Sequence, residues 1–421
     1  MKVLFPIEYY SPFTMGGAEI STKLLAEELT KEGVEVHILT PNYGSFTNAK
    51  LRKGRLHIHR FRSIRKFILG GREVLYLSYR QRRALFYWLL SKYVRFSAFE
   101  FSKKITSLCN KENFDLIHAQ NIESVLGSSM AKVDCPKIAH IRDLSLFCVK
   151  REKLIGNLVC KKCSQTSIMT CLFTNRFLAN SIAEEIQWRK KLIKNFDHYV
   201  AISKFIGSEL EKEGIPQEKI SIIPNPISDN QISKLSKFEA RKKLNLNQNK
   251  KIVLFVGSLT EDKGAHFLPI LASKLRDKDF VVVGDGPLRH LFEKNTLNNV
   301  YYRGQVPQSE VKHYYKAADI LVVPSLCQEA FGRVVIEGQI NSVPAIVFKI
   351  GGLSELVEDG KTGILVKQGA VQEMVNAIVR VFSDEKTMEK MGMAGRKSAL
   401  KRFSVKAVVQ QVLKLYERVL S

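Results

Sequence analysis

Two glutamates, Glu329 and Glu337, are separated by seven residues in the stretch "SLCQEAFGRVVIEGQINSVPAIV". An Ala-Phe-Gly turn follows the first, and an apolar run leads to the second. If Phe331 and Gly332 open a helix, Glu337 lies about one turn inside it and Glu329 sits in the preceding loop. Eight helical residues rise about 12 Å, and less if part of the span is loop. That distance suits two acids gripping opposite ends of an extended ligand better than a pair of metal ligands. The rest of the chain has to supply the ligand.

A second constellation is cationic. "VGSLTEDKG" places Gly257 at a strand end, Ser258 after it, and Lys263-Gly264 further on. Glycine at a strand end lets backbone approach a phosphate, helix-opening amides favour an anion, and Lys263 supplies a full charge. No Gly-Lys-Ser/Thr follows a four-residue spacer, so this is not a Walker loop. "FTMGGAEIST" puts Gly16-Gly17 at a loop-to-helix junction, and "AHIRDLSL" puts His140 and Asp143 at a strand end.

The third constellation is sulfur. Cys148, Cys160, Cys163 and Cys171 have the spacing C-x11-C-x2-C-x7-C, four of seven cysteines within 24 residues. C-x2-C is a common half-site for tetrahedral Zn²⁺, and two flanking cysteines complete a Cys₄ set. The expectation is a structural zinc site in an insertion spanning 148–171, with no open position for catalysis. Buried free thiols, a disulfide formed on oxidation, or an iron–sulfur cluster are the competing readings.

The elements that must hold these groups are legible as apolar runs. "KVLF", "VEVHILT", "LHIHRF", "DLIHAQ", "PKIAHI" and "HYVAIS" precede a break near "IIPNPISDN". "KIVLFVG", "FVVVGDG", "VYYRGQV", "DILVVPS", "PAIVFK" and "GILV" follow it. Continuous Val/Ile/Leu runs suit parallel strands buried on both faces. Helical segments alternate with them, such as "GGAEISTKLLAEELTKEG", which Gly33 would stop. The expected fold is α/β, with two Rossmann-like doubly wound domains facing across a cleft. The boundaries read as 1–222, 223–403, and a C-terminal helix 404–421 packing back on the first domain.

The chain has 421 residues, 45% hydrophobic and 25% charged, and a net charge of +25. Such a charge predicts an anionic partner. From Lys50 to Lys104 sixteen basic residues face only Glu73 and Glu100. The segment from Arg62 to Phe96 interleaves them with aromatic and aliphatic residues, as an interfacial helix on an anionic membrane would, or a core helix with a solvated basic face. "MKVLFPIEYY" reads as a first strand and not a signal peptide, and no run of eighteen apolar residues occurs. A cytoplasmic location, peripheral at the inner face of a membrane, is the expectation.

In their order and spacing, the segments from Lys251 to Val366, with the Glu-x7-Glu pair among them, resemble the donor domain of retaining glycosyltransferases of the family 4 type, which have the GT-B fold. The "GGAE" run and the Asn225-Pro226 linker extend the resemblance into the first half. It implies that Glu329 contacts the transferred hexose and Glu337 the ribose hydroxyls. Phe331 and Gly332 then bring backbone amides to sugar and phosphate. Lys263 stabilises the departing diphosphate, Val306 borders the base, Gly16 and Gly17 approach donor or acceptor, and His140 lies near the transferred sugar. Ser258 stands where the family commonly carries Arg, so Lys263 works with amides alone or Arg333 supplies a second cation. The implied partners are a nucleotide-diphosphate sugar and a glycan or lipid-linked acceptor, with no catalytic metal. A sugar-nucleotide epimerase or binder keeps the same fold. A basic nucleic-acid-binding protein would leave the motif order unexplained.

Overall fold

The computed structural model describes residues 1–12, 16–42, 50–63, 83–155, 158–160, 163–293 and 297–421. Of the basic stretch from Arg62 to Phe96, residues 64–82 lie outside that set. Two compact units make up the chain: Met1–Pro226 with Val405–Ser421, and Ile227–Ser404.

In the first unit the strands run, in chain order, β1 (Lys2–Pro6), β2 (Glu35–Pro41), β3 (Lys50–Lys53), β4 (Leu56–Phe61), β5 (Leu116–Ala119), β6 (Lys137–Ile141), β7 (Leu154–Ile155), β8 (Leu158–Val159), β9 (His198–Ala201) and β10 (Ile220–Ile222). Eight of them form one sheet, ordered β10-β9-β6-β5-β1-β2-β4-β3, while β7 and β8 pair as a small separate hairpin. All neighbours in the large sheet are parallel except β3 with β4. The order reverses direction between β1 and β5, which is where a doubly wound sheet opens a crevice beyond its strand ends.

The first helix, Gly17–Lys31, buries Leu25, Ala26 and Leu29 at helical spacing. It stops because Gly33 takes the left-handed conformation, φ +87°, and donates to the Thr30 carbonyl while Val34 donates to Leu29. These apolar residues share a core with Val408, Val409, Val412 and Tyr416 of the last helix, Val405–Leu420. Each such fully buried aliphatic side chain contributes about 1.5–3 kcal/mol. Hydrophobic burial is what returns the C-terminus to the first unit.

The second unit holds β11 (Ile252–Val256), β12 (Asp279–Val283), β13 (Val300–Tyr302), β14 (Ile320–Val323), β15 (Ala345–Phe348) and β16 (Gly363–Val366). Their order, β13-β12-β11-β14-β15-β16, is the parallel 3-2-1-4-5-6 arrangement of a dinucleotide-binding fold. The reversal falls between β11 and β14. The chain enters and leaves this unit side by side, with the Ile227 amide donating to the Phe403 carbonyl at 2.8 Å.

Candidate functional site

At the switch point of the second unit, the loops after β11 and β14 are stitched together. The Leu326 and Cys327 amides donate to the Asp262 carbonyl at 2.7 and 3.1 Å. Gly264 (φ +70°) lies so close to Pro324 that a Cβ there would sit 1.9 Å from the Pro324 carbonyl oxygen. Only glycine fits. This contact places Lys263, from the first loop, against Glu329, from the second: Nζ to Oε1 is 2.6 Å. Ser325 donates to the same oxygen at 2.9 Å, which fixes the carboxylate. Burial opposes the Lys263 charge, but Glu329, with Cys327 and Asp262, outweighs it and raises the ammonium above its usual range. Lys263 therefore stays charged. The pair remains partly accessible, with 31% and 18% of the two side chains exposed.

Glu337 sits differently. It lies in the helix Arg333–Ile340, buried, and accepts from Gln231 at 2.9 Å and Tyr315 at 3.1 Å, while Arg333 approaches its Oε1 at 3.5 Å. Burial first, and then the Glu337 carboxylate, raise the Tyr315 hydroxyl well above its ordinary value, so it remains a donor. A carboxylate offers about four lone-pair directions, so three partners leave it room to accept once more. Arg333 itself reaches Gln231 at 3.4 Å. Gly332 is the N-cap at φ +112°, with no side-chain cap on the first turn; a Cβ there would meet Leu353 at 2.3 Å. Phe331 turns its ring inward onto Phe403, so what it presents at the helix entrance is backbone. Gly352 donates to the Glu329 carbonyl at 2.7 Å, which gives the "GGLSE" run a part in holding the loop. Gly257 ends β11, Ser258 after it is exposed, and Val306 is half-buried between β13 and the helix Gln308–Ala317.

In the first unit, the loop after β1 leads to Gly16 and Gly17, where the Gly16 amide donates to Glu19 at 2.8 Å. Phe13 to Met15 lie outside the described residues. His140 ends β6 and is buried beside His118 of β5 with the rings stacked 5.2 Å apart. Three contacts determine its proton. Arg142, which can only donate, reaches the His140 Nδ1 at 3.3 Å, so Nδ1 accepts and Nε2 carries the hydrogen. His118 Nε2, 3.2 Å from the same Nδ1, is then the donor, and His118 Nδ1 accepts from Tyr416 at 2.7 Å. Burial keeps the Tyr416 hydroxyl protonated and drives His118 down to about 3, with Arg142 adding to the effect. His140 is likewise held well below the usual histidine range by burial, then by Arg142 and His118. It is a neutral imidazole whose Nε2–H is buried with no partner among the described residues. Asp143 does not join it; its carboxylate accepts from the Ser145 amide at 2.8 Å and faces Arg151 at 3.4 Å.

Arg142 was absent from the sequence reading. It also donates to Gln120 at 2.7 Å and to Asn225 of the Asn225-Pro226 run. His118 and Tyr416, 298 positions apart, were equally invisible. A second missed group is Glu35, His37, His57, His59 and Glu112. Here His37 Nδ1 lies 2.9 Å from His59 Nε2, and His37 Nε2 lies 3.0 Å from Glu35. Its signal was present: Glu35/His37 and His57/His59 are period-2 pairs on the adjacent strands β2 and β4.

The four clustered cysteines line one cavity of about 30 Å³, together with apolar Ile168 and Leu172. None is in a disulfide. Burial pushes the Cys163 thiol up to about 12 and Cys171 to about 11, the neighbouring thiols adding to both. Among the described residues, the trios of histidine, cysteine or acid whose ligand atoms lie within 4.8 Å of one another are Glu35/His37/His57 and His37/His59/Glu112. No three of the cysteine sulfurs lie that close together.

A family model described as Glycosyltransferase Family 4 matches residues 15–231, and one described as Glycosyl transferases group 1 matches 236–398. The chain is 26% identical over 422 residues to the uncharacterized glycosyltransferase MJ1178 of Methanocaldococcus jannaschii, covering 99% of this chain and 98% of that one. It is 31% identical over 192 residues to the D-inositol 3-phosphate glycosyltransferase of Corynebacterium glutamicum, 42% of this chain and 46% of the relative. Among solved structures it is similar to sucrose-phosphate synthase from Thermosynechococcus elongatus (TM-score 0.74, 21% identity, 99% and 98% covered). It is also similar to HepE from Anabaena in complex with UDP and glucose (TM-score 0.70, 20% identity, 99% of each chain). These likenesses show the fold, GT-B with two Rossmann-like domains.

Proposed function

The chain belongs to Glycosyltransferase Family 4, and on that premise we propose that it moves a hexosyl unit from a nucleoside-diphosphate sugar to a glycan or lipid-linked acceptor with retention of configuration. The observation that carries the reading is the Lys263–Glu329 pair at the switch point of the second unit, a fixed cation beside a hydroxyl acceptor. Lys263 meets the diphosphate, and its charge counts most as the leaving group develops negative charge. Glu329 accepts from hexose hydroxyls. Glu337, with one direction unused, accepts from the ribose. The uncapped amides after Gly332 and the Arg333 guanidinium supply further positive field, which offsets the serine at position 258.

To the first unit's His140 we assign donation from Nε2–H to a hydroxyl of the transferred sugar. A neutral donor suits that role, since an imidazolium would titrate within the working pH range. The leaving phosphate takes the acceptor proton on the same face of the sugar, so no enzyme nucleophile is assigned and no catalytic metal is needed. HepE binds UDP and glucose in its solved complex, and that pairing makes UDP-glucose the first donor to try.

The acceptor side rests on the helix Arg83–Cys109. Leu85, Leu89, Lys92, Phe96, Phe99 and Lys103 follow i, i+4, i+7, i+11, i+14, i+18 spacing and form one stripe. Its four apolar members are 44%, 53%, 42% and 50% exposed. Apolar and basic side chains on one exposed face suit an anionic bilayer, and so a lipid-carried acceptor at the cytoplasmic face of a membrane. Among the described residues no helix is long and apolar enough to cross a membrane.

The test is nucleotide release from UDP-, GDP- and ADP-sugars with and without acceptor. Acceptor-dependent release supports transfer. Interconversion of the sugar without release points to an epimerase, and tight binding without turnover to a sugar-nucleotide binder.

A further inference from the structure

We propose that the cavity between Cys148, Cys160, Cys163 and Cys171 is a structural Zn²⁺ site, bound by four thiolates, that locks the segment following β6. This goes beyond glycosyl transfer and does not depend on it. Of seven cysteines, the four that cluster in sequence are also the four that meet around one small void.

Their local structures differ, as ligands of a clamp must. Cys148 ends the turn that follows β6, its amide donating to the Leu144 carbonyl at 2.8 Å. Cys160 leaves the β7–β8 hairpin, its amide donating to Lys153 at 2.8 Å. Cys163 directly precedes Ser164, which caps the helix Gln165–Leu172, and Cys171 lies in the last turn of that helix. A turn, a hairpin and a helix are thus tied at one point. An apolar cluster of Val149, Ile168 and Leu172 against Ala179, Ile182 and Ile186 backs them, and the Cys171 thiol donates to the Leu154 carbonyl at 3.6 Å. The hairpin has two residues per strand, and Arg151 and Lys153 hold left-handed φ values of +63° and +50° despite their side chains. Such backbone persists only where the surroundings over-determine it.

Size and charge favour a single divalent ion. A void of about 30 Å³ has room for one ion at its centre. Zinc–sulfur bonds of about 2.3 Å set the sulfurs about 3.8 Å apart, closer than any three of them now lie together, so binding draws the thiols inward. Four thiolates around Zn²⁺ leave two excess negative charges. Lys153 lines the cavity, and Lys150 and Lys190 act electrostatically on Cys171 and Cys163, although each of the three is also paired with a carboxylate, Glu209, Glu152 and Glu213 respectively. No open coordination position remains, so the metal's work is mechanical. The segment it holds begins directly after Arg142, the residue that fixes the proton on His140.

The experiment is metal analysis of the full chain purified under reducing conditions, with Co²⁺ replacement as a spectroscopic probe. The proposal expects about one zinc per chain, released by a thiol-blocking mercurial. Co²⁺ taken up in its place should show thiolate charge-transfer bands and tetrahedral ligand-field bands. C160S/C163S should lose the metal, whereas C109S/C135S, which alters the other half-buried pair, should keep it. The Co²⁺ spectrum is read on the unmutated chain, so a variant that fails to fold does not decide the matter. Metal-free protein with no such spectrum, iron with sulfide in place of zinc, or zinc that survives in C160S/C163S would each overturn the proposal. The last result would point to the His37/His57/His59 group instead.

Discussion

His118 Nε2 lies 3.2 Å from His140 Nδ1, and Tyr416 donates to the far side of His118, so a residue of the last helix sets the tautomer at the end of β6. The direction follows from Arg142, which has no acceptor atom and so must donate to Nδ1 of His140. His140→Ala removes the resulting Nε2–H. Turnover should fall about 10²-fold, the cost of losing one pre-positioned donor, with nucleotide affinity nearly unchanged. Tyr416→Phe should lower turnover less and stability by about 1–3 kcal/mol, since His118 Nδ1 is left buried without a donor. Steady-state kinetics and urea melts on both variants separate the two effects. Equal loss of nucleotide affinity in His140→Ala would remove it from the sugar end of the site.

Lys263→Ala should weaken nucleoside-diphosphate binding and slow the chemical step together, because the cation meets charge that grows as the bond breaks. Glu329→Gln keeps the shape and the Ser325 hydrogen bond but removes the carboxylate beside Lys263. Turnover should fall while affinity for the free nucleotide holds. Calorimetry with nucleotide alone checks the split; a Glu329→Gln variant that loses nucleotide affinity but turns over normally would reverse the two assignments.

Glu337→Ala carries two costs. Loss of a charge-assisted ribose contact should weaken donor binding by about 1.5–3 kcal/mol. Tyr315 and Gln231 also lose a buried acceptor, which should lower stability by about 1–3 kcal/mol. Melting curves and calorimetry read the two separately, and unchanged affinity in a folded variant would clear Glu337 of a part in donor binding.

Acid should loosen the first unit first. His118 and His198 are held down at about 3 and about 4, and His37 and His140 are lowered as well, in each case chiefly by burial. Between the lowered values and about 6.5, the unfolded chain binds protons that the folded one refuses. Stability is therefore full above about 6.5 and falls as pH drops through that window. At pH 5 His118 alone accounts for about 2 kcal/mol. Urea melts across pH 7 to 5 should show the decline, and His118→Asn should flatten it. A constant midpoint over that range would mean these histidines are hydrated.

The exposed stripe on the helix Arg83–Cys109 predicts binding to anionic vesicles and not to neutral ones. Replacing Leu89, Phe96 and Phe99 with serine should abolish flotation while melting stays within about 0.5 kcal/mol of the parent, because exposed positions contribute little to stability. Flotation unaffected by the triple change would place any membrane contact elsewhere.

Sequence by itself determined the strands buried on both faces. Every apolar run named from it became a strand of one of the two sheets; ten are interior, where two covered faces demand an apolar stretch, and two, β13 and β16, are the edges of the second sheet. It missed β10 and β3, the two edges of the first sheet, where "ISI" and "KLRK" need bury less and show no such run. Motif chemistry was legible for the same local reason. The glycines at 264 and 332 and the clustered cysteines stand out among their chain neighbours, although Pro324 and Leu353, which exclude a Cβ at the two glycines, are remote in sequence. Tertiary structure alone decided which of these groups meet. Lys263 reaches Glu329 because parallel pairing of β11 with β14 sets their following loops side by side. His140 acquires its proton through Arg142, His118 and Tyr416 because β5, β6 and the C-terminal helix share one core. Contacts across 66 and 298 residues leave no periodicity in a sequence, because packing, and not chain spacing, brings them together.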